Sequence, residues 1–196
     1  MLSSITRASF VLSVAALTLL GCEPVVETTS GTAAAPAAGS GRAVPASNAP
    51  VGVQVGNRAP DWILRDGEGN THRLSEYLGQ VVVMDFWATW CGPCRRAMPG
   101  MQHLHETYGD RGVVVLGMNG SERGGDPMAF MKRSGYTYTT ILNCEKIAPT
   151  YRVRSIPTFY LVGVDGTILF HQVGLSPAGE QQLVALIEDH LQQHGM

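Results

Sequence analysis

Two cysteines stand three residues apart in Trp90-Cys91-Gly92-Pro93-Cys94, directly after the strand-like run Val81-Val82-Val83-Met84-Asp85-Phe86-Trp87 and before a helical pattern. Residues three apart on a helix are surface neighbours, within the Cα separation that a disulfide requires, so the pair can close into a small ring without moving the backbone. Cys91 falls at the helix N-terminus, where unpaired N–H groups and the positive end of the helix dipole favour thiolate over thiol. That makes Cys91 the expected nucleophile and Cys94, one turn deeper, the residue that resolves a mixed disulfide. Between them, Gly92 lets a partner's backbone approach closely, and Pro93 presets helical φ where no N–H is needed. The bland reading of such a pair is structural zinc, but zinc takes about four ligands, usually from two pairs, and the sequence holds no second pair. Neither a metal nor another cofactor is expected.

The same residues, set in Asp85-Phe86-Trp87-Ala88-Thr89-Trp90, resemble the thioredoxin superfamily, which implies an α/β thioredoxin fold with a central mixed sheet flanked by helices. Val153-Arg154-Ser155-Ile156-Pro157-Thr158 resembles the proline loop of that superfamily. The resemblance implies a cis bond before Pro157 beside the disulfide, and backbone groups at Ile156 that pair with an extended substrate. Proline at the start of a strand can also be a simple edge device. Asp85 occupies the place where thioredoxin carries a buried carboxylate behind its second cysteine. Such an acid stays protonated until function uses it, and it would take the proton of Cys94. The alternative is an aspartate at a strand end that reaches solvent. Trp90, with Trp87, is a candidate for the rim of a partner groove or for the core, whereas Phe86 reads as core.

The elements that must position these groups follow from pattern. Ala59 to Leu64, the Asp66-Gly67 turn and Thr71 to Leu74 predict an N-terminal β-hairpin, and Ser75 to Leu78 a short helix. The apolar run Val81 to Trp87 predicts an interior strand of a mostly parallel sheet. The active-site helix is expected from Cys91 to about Tyr108 with a kink at Pro99, and a second buried strand from Val113 to Met118. Asp126 to Ser134 reads as helix and Tyr138 to Leu142 as strand. This inserted pair makes the chain resemble the exported, membrane-tethered TlpA/ResA-like branch. Members of that branch often carry Asn at the position of Asp85 and Glu at that of Ala97, so proton handling here is expected to follow ordinary thioredoxin instead. A short helix from Glu145 to Tyr151, a hairpin of Phe159 to Val164 with Ile168 to Val173, and a last helix capped by Ser176 complete the chain.

Arg7 and the apolar stretch Phe10 to Leu20 are too short for a membrane span but suit an export signal over residues 1–21. Leu19-Leu20-Gly21-Cys22 resembles a bacterial lipobox, which implies cleavage before Cys22, lipidation of that cysteine and attachment to a membrane facing the periplasm. Ordinary signal cleavage with an incidental cysteine is the competing reading. Residues 22–53 are rich in Ala, Gly, Ser, Thr and Pro and predict a disordered tether, for which roughly 30 residues span about 30 Å. Residues 54–196 make one domain.

With a formal net charge of −2 and scattered basic residues, nucleic acid is not an implied partner. The implied partners are a disulfide-bearing client protein and a membrane electron donor, with the domain itself a monomer. Gly-Pro between the cysteines resembles the reducing members of the superfamily, and that resemblance extends to a role in cytochrome c maturation. Two other functions compete: a Cu(I) chaperone using the thiols with His171, whose relatives space their cysteines by three residues, and a thiol peroxidase, whose Pro-x-x-x-Thr-x-x-Cys pattern Thr89 and Cys91 do not match. Arg95-Arg96 reads as a solvent-facing pair, Cys144 as a half-buried free thiol, and His190 with His194 as a surface pair.

Overall fold

The computed structural model describes residues 44–196; the signal segment, Cys22 and the tether up to residue 43 lie outside the described residues. The expected tether runs to residue 53, yet residues 44–53 lie along the domain. The Ser47 N–H donates to the Asp165 carbonyl at 2.8 Å, Gly52 N–H donates to Arg58 O at 3.0 Å, and Val44 packs on the core. Small residues with little to bury can still be held by backbone hydrogen bonds to a neighbouring turn, which composition does not reveal.

The hairpin consists of β1 (Ile63–Arg65) and β2 (Thr71–Arg73), paired antiparallel with Leu64 opposite His72. Its turn is held by Asp66, whose Oδ1 accepts from the N–H groups of Glu68 and Asn70, both at 2.9 Å. The other oxygen meets His72 Nε2 at 2.8 Å, and His72 Nδ1 meets the Tyr77 hydroxyl at 2.6 Å, a buried polar chain that fastens the hairpin to the 3-10 turn Leu74–Tyr77.

A five-stranded sheet carries the rest. Its strands are β3 (Val81–Trp87), β4 (Val113–Asn119), β5 (Thr139–Ile141), β6 (Thr158–Val162) and β7 (Ile168–Val173), in the order β5-β4-β3-β6-β7. All seven residues of β3 are buried. It runs parallel to β4 but antiparallel to β6, so the sheet is evenly mixed rather than mostly parallel. The reason is that β6 starts beside the end of β3, with Thr158 opposite Phe86, and the β6–β7 hairpin, with its tight turn at Asp165-Gly166 and Gly166 at φ 84°, then adds a second antiparallel pair.

Three helices, α1 (Gly92–Tyr108), α2 (Pro127–Ser134) and α3 (Pro177–His194), supply one side of the core. There, Val83 and Trp87 of β3 meet Ala97, Met98 and Met101 of α1, Met131 of α2, and Leu183, Ile187 and Leu191 of α3. Val82, Met84 and Phe86 point the other way, to Trp62, Leu64, Leu74 and Tyr151. The expected helix Glu145–Tyr151 is instead a three-residue 3-10 turn, Cys144–Lys146, followed by separate turns. Pro149 has no N–H to give to Glu145, so successive helical bonds cannot form there. By contrast α1 continues through Pro99.

Candidate active site

The end of β3 delivers Ala88 to Cys91 as a turn, closed by Cys91 N–H to Ala88 O at 3.1 Å, and α1 starts at the next residue. Cys91 is the residue that caps this helix: its backbone is extended, and its Sγ accepts from the Cys94 N–H at 3.2 Å. Cys91 and Cys94 are joined as a disulfide with Cα atoms 5.3 Å apart, within the usual range. Cys94 is fully enclosed, whereas Cys91 keeps 4% of its surface, so what exposure the pair has belongs to Cys91. A Cβ built on Gly92 would meet nothing nearer than Arg96 at 3.9 Å, so the fold itself does not demand glycine at this position.

Pro157 follows a cis bond, and the Ile156 carbonyl lies 3.7 Å from Cys91 Sγ. In the disulfide form that sulfur carries no proton, and the approach is a contact. The Ile156 N–H has no hydrogen-bond partner among the described residues. Behind Ile156 and Pro157, Thr158 Oγ1 donates to Ser155 O at 2.7 Å and Gly174 N–H to Pro157 O at 2.7 Å, which fixes the loop against the sheet. The active-site turn and the proline loop therefore flank one groove of about 460 Å³, with Trp90, Ser121, Arg123, Glu145, Arg154 and Ile156 in its walls.

Trp90 is 43% exposed and stands on the groove rim, its Nε1 donating to Ser121 O at 3.0 Å and the Arg123 guanidinium 4.1 Å from its ring centre. Trp87, a rim candidate from sequence, is instead buried in the core, as is Phe86. The turn before Cys91 is clamped by a residue the sequence did not single out. Glu122 accepts from the Thr89 N–H at 2.8 Å, the Thr89 hydroxyl at 2.5 Å and Asn119 Nδ2 at 2.7 Å. The available signal was position alone: Glu122 follows β4, and functional loops gather beyond the C-terminal ends of parallel strands.

Asp85 is fully buried in the middle of β3, which removes the reading of a strand-end side chain in solvent. Neither carboxylate oxygen has a hydrogen-bond partner among the described residues, and burial pushes the group up to about 8. Lying between Val83 and Trp87 in the two-residue strand period, Asp85 faces the side of the sheet that carries Cys94 and Ala97.

The remaining candidates separate from the site. Cys144 is buried rather than half-buried, donates to Ile141 O at 3.3 Å, and has its thiol pushed far up by burial and by Glu145, which disfavours a reactive thiolate. His171 stacks on Tyr160 at 4.4 Å, and no group of three His, Cys, Asp or Glu side chains suited to a metal ion occurs among the described residues. Arg95 and Arg96 are exposed, Arg95 lying over Phe130. His190 lies against His194 with the rings tilted at 45° and is more than a surface residue, since its Nε2 accepts from the Val164 N–H at 3.1 Å and closes the end of β6.

Comparison with known proteins agrees with this geometry. Residues 55–171 match the model of the AhpC/TSA family. Over 117 residues, 59% of this chain and 67% of the relative, the sequence is 38% identical to the thiol-disulfide oxidoreductase ResA of Geobacillus kaustophilus. The crystal structure of a thiol:disulfide interchange protein DsbE from Chlorobium tepidum superposes with a TM-score of 0.65 at 33% identity, covering 71% of this chain and 99% of that one. The exposed lipoprotein thioredoxin Etrx1 of Streptococcus pneumoniae superposes with a TM-score of 0.53 at 29% identity over 66% of this chain and 99% of that one. With a thioredoxin-type fold, a closed Cys91–Cys94 pair at a helix N-terminus and relatives of this kind, the chain belongs to the AhpC/TSA family and is a thiol-disulfide oxidoreductase of ResA/DsbE type.

Proposed function

We propose that this protein is an exported, lipid-anchored reductase of client disulfides. The observation that carries the chemistry is the asymmetry of the pair: Cys91 keeps the exposed surface and lies against the Ile156 carbonyl, while Cys94 is fully enclosed. In the reduced protein, the Cys91 thiolate attacks a client disulfide, forms a mixed disulfide and releases one client thiolate. Asp85 takes the proton of Cys94. The Cys94 thiolate then attacks Cys91 Sγ, breaks the mixed disulfide, releases the second client thiolate and closes Cys91–Cys94. Two electrons pass from the dithiol to the client, and a membrane-borne thiol donor restores the dithiol. The free N–H and carbonyl of Ile156 suit an extended client segment laid along the loop, which selects for backbone rather than side chain. Within this reading the client carried over from the sequence resemblance is an apocytochrome c whose haem-attachment thiols have become oxidised.

Direction is tested by equilibrating the purified domain with glutathione buffers. With no cation in the Gly92-Pro93 dipeptide to favour the thiolate, the potential is expected near that of thioredoxin, about −270 mV, and far from that of DsbA, about −120 mV. A value above about −170 mV would overturn the reductase direction and leave the oxidoreductase intact. The anchor rests on Cys22 and its lipobox-like surroundings, with the pneumococcal lipoprotein thioredoxin as a relative of the same habit. Cells fed a labelled fatty acid should label the wild type and not Cys22→Ala, while the variant keeps its disulfide reductase activity. Absence of label on the wild type, with processing insensitive to globomycin, removes the anchor from the proposal.

A further inference from the structure

The sheet leaves four buried polar side chains unpartnered around one glycine. Gly117 of β4 lies beside Asp85 of β3 on one side and Thr140 of β5 on the other, in parallel register, so all three present the same face. Among the described residues neither Asp85 oxygen, nor Trp87 Nε1, nor the Tyr138 hydroxyl, nor Thr140 Oγ1 has a hydrogen-bond partner, and all are sealed from solvent. A Cβ at Gly117 would come within 2.9 Å of Trp87 Nε1 and 2.9 Å of Tyr138 Cε2. Both aromatic groups thus overhang the position next to Asp85, one strand spacing of about 4.8 Å away. Leaving several buried polar groups unpaired is costly, and a cluster of them at one place is what a site that changes its charge during function looks like.

We infer that Tyr138 is a positioning residue for proton transfer: its hydroxyl, together with the Trp87 indole N–H, donates to the Asp85 carboxylate whenever Asp85 is ionised, and so holds Asp85 ready to accept the proton of Cys94. This rests on the reading of Asp85 as that acceptor. The step is Cys94–SH plus Asp85–COO⁻ giving Cys94–S⁻ plus Asp85–COOH; Tyr138 keeps its own proton throughout, and burial with the nearby Asp85 charge raises the Tyr138 hydroxyl far above the usual phenol range. Among the described residues, Thr140 is the other unpartnered polar side chain of this face, and it stands one strand further from Asp85, beyond Gly117. Gly117 of β4 and Phe159 of β6 pair with Asp85 in register, and the core on the face of the sheet that Asp85 presents contains Cys91 at the cap of α1, Cys94 within it, Met131 of α2, and Leu183 and Ile187 of α3. The segment leading into β5 brings Tyr138, with the Tyr136 ring tilted against it at 6.1 Å and partly exposed. Among the described residues no cation offsets the burial of Asp85, from which its upward displacement comes. The donor therefore enters with the inserted helix and strand, the part of this chain that a minimal thioredoxin lacks.

The test follows the Asp85 carboxyl carbon by NMR across pH with the disulfide closed, so that neither thiol titrates beside it. Tyr138→Phe should move the Asp85 midpoint up by about one pH unit, roughly a tenfold loss of the ionised form at a fixed pH below it. Tyr136→Phe should leave the midpoint in place. In the reduced enzyme, the pH profile of mixed-disulfide release should shift in the same direction in Tyr138→Phe, and Tyr138→Phe should add nothing on top of Asp85→Asn. An Asp85 midpoint that is unmoved or lowered in Tyr138→Phe overturns the inference. If Asp85→Asn releases the mixed disulfide at the wild-type rate, the acceptor reading fails separately, and the carboxyl titration still decides what Tyr138 does.

Discussion

A Cys94→Ser variant should accumulate mixed disulfides with its clients through Cys91, while Cys91→Ser should lose disulfide reduction by at least about a thousandfold, the order expected when a covalent nucleophile is removed. The two sulfurs differ only by three positions in sequence, but the helix start separates their roles. Cys91 caps the helix, keeps the exposed surface of the pair and lies 3.7 Å from the Ile156 carbonyl, whereas Cys94 is enclosed by the core. A client can reach Cys91 alone, so removal of Cys94 leaves attack intact and abolishes only the resolving step. Cells carrying Cys94→Ser, lysed under conditions that block free thiols, should yield client adducts that dithiothreitol releases and mass spectrometry identifies. Adducts formed equally well by Cys91→Ser through Cys94, or equal rates of alkylation of the two reduced thiols at neutral pH, would refute this division of labour.

Sequence pattern was sufficient wherever a local rule had no competitor. Seven consecutive residues with one polar interruption gave β3 to the residue, because a strand buried on both faces leaves no room for alternation. Asp126 and Ser176 each precede a proline and each cap a helix through a side-chain oxygen, as the short-range chemistry of helix starts requires. What failed to show was whatever depends on register between strands distant in the chain. Trp87 and Trp90 look alike in sequence, and only the turn after β3 sends one into the core and the other to the groove rim. Glu122 looked like one more charge in a polar loop until β4 ended beside Thr89. Tyr138 and Thr140 read as ordinary strand residues, and nothing in their neighbourhood of sequence says that Gly117 and Asp85 lie next to them. The two arginines in the groove wall, Arg123 and Arg154, are far apart in sequence for the same reason, and neither forms an ion pair among the described residues.

Asp85→Asn should separate stability from turnover in opposite directions. The carboxyl lies at about 8 in the folded protein, against roughly 3.9 for an unfolded aspartate. Between those two values the folded protein holds a proton that the unfolded chain gives up, so stability is fully present below about pH 4 and falls as pH rises through about 8. The displacement of roughly four pH units corresponds to a loss on the order of 5 kcal/mol across that window. Asparagine is never ionised, so the variant should lack this slope. It should lie close to wild type at pH 5 and be more stable by a few kcal/mol at and above pH 8, read from urea unfolding of the disulfide form. The same substitution removes the buried carboxyl proposed to take the proton of Cys94. Wild-type release of the mixed disulfide should accelerate with pH through about 8 as Asp85 ionises, whereas Asp85→Asn should be slower by roughly a hundredfold where that acceleration has occurred, the usual range for loss of a general base. A variant that is less stable than wild type at pH 8 and releases its client at the wild-type rate would mean that the buried carboxylate is neither a burden on the fold nor a participant in the reaction.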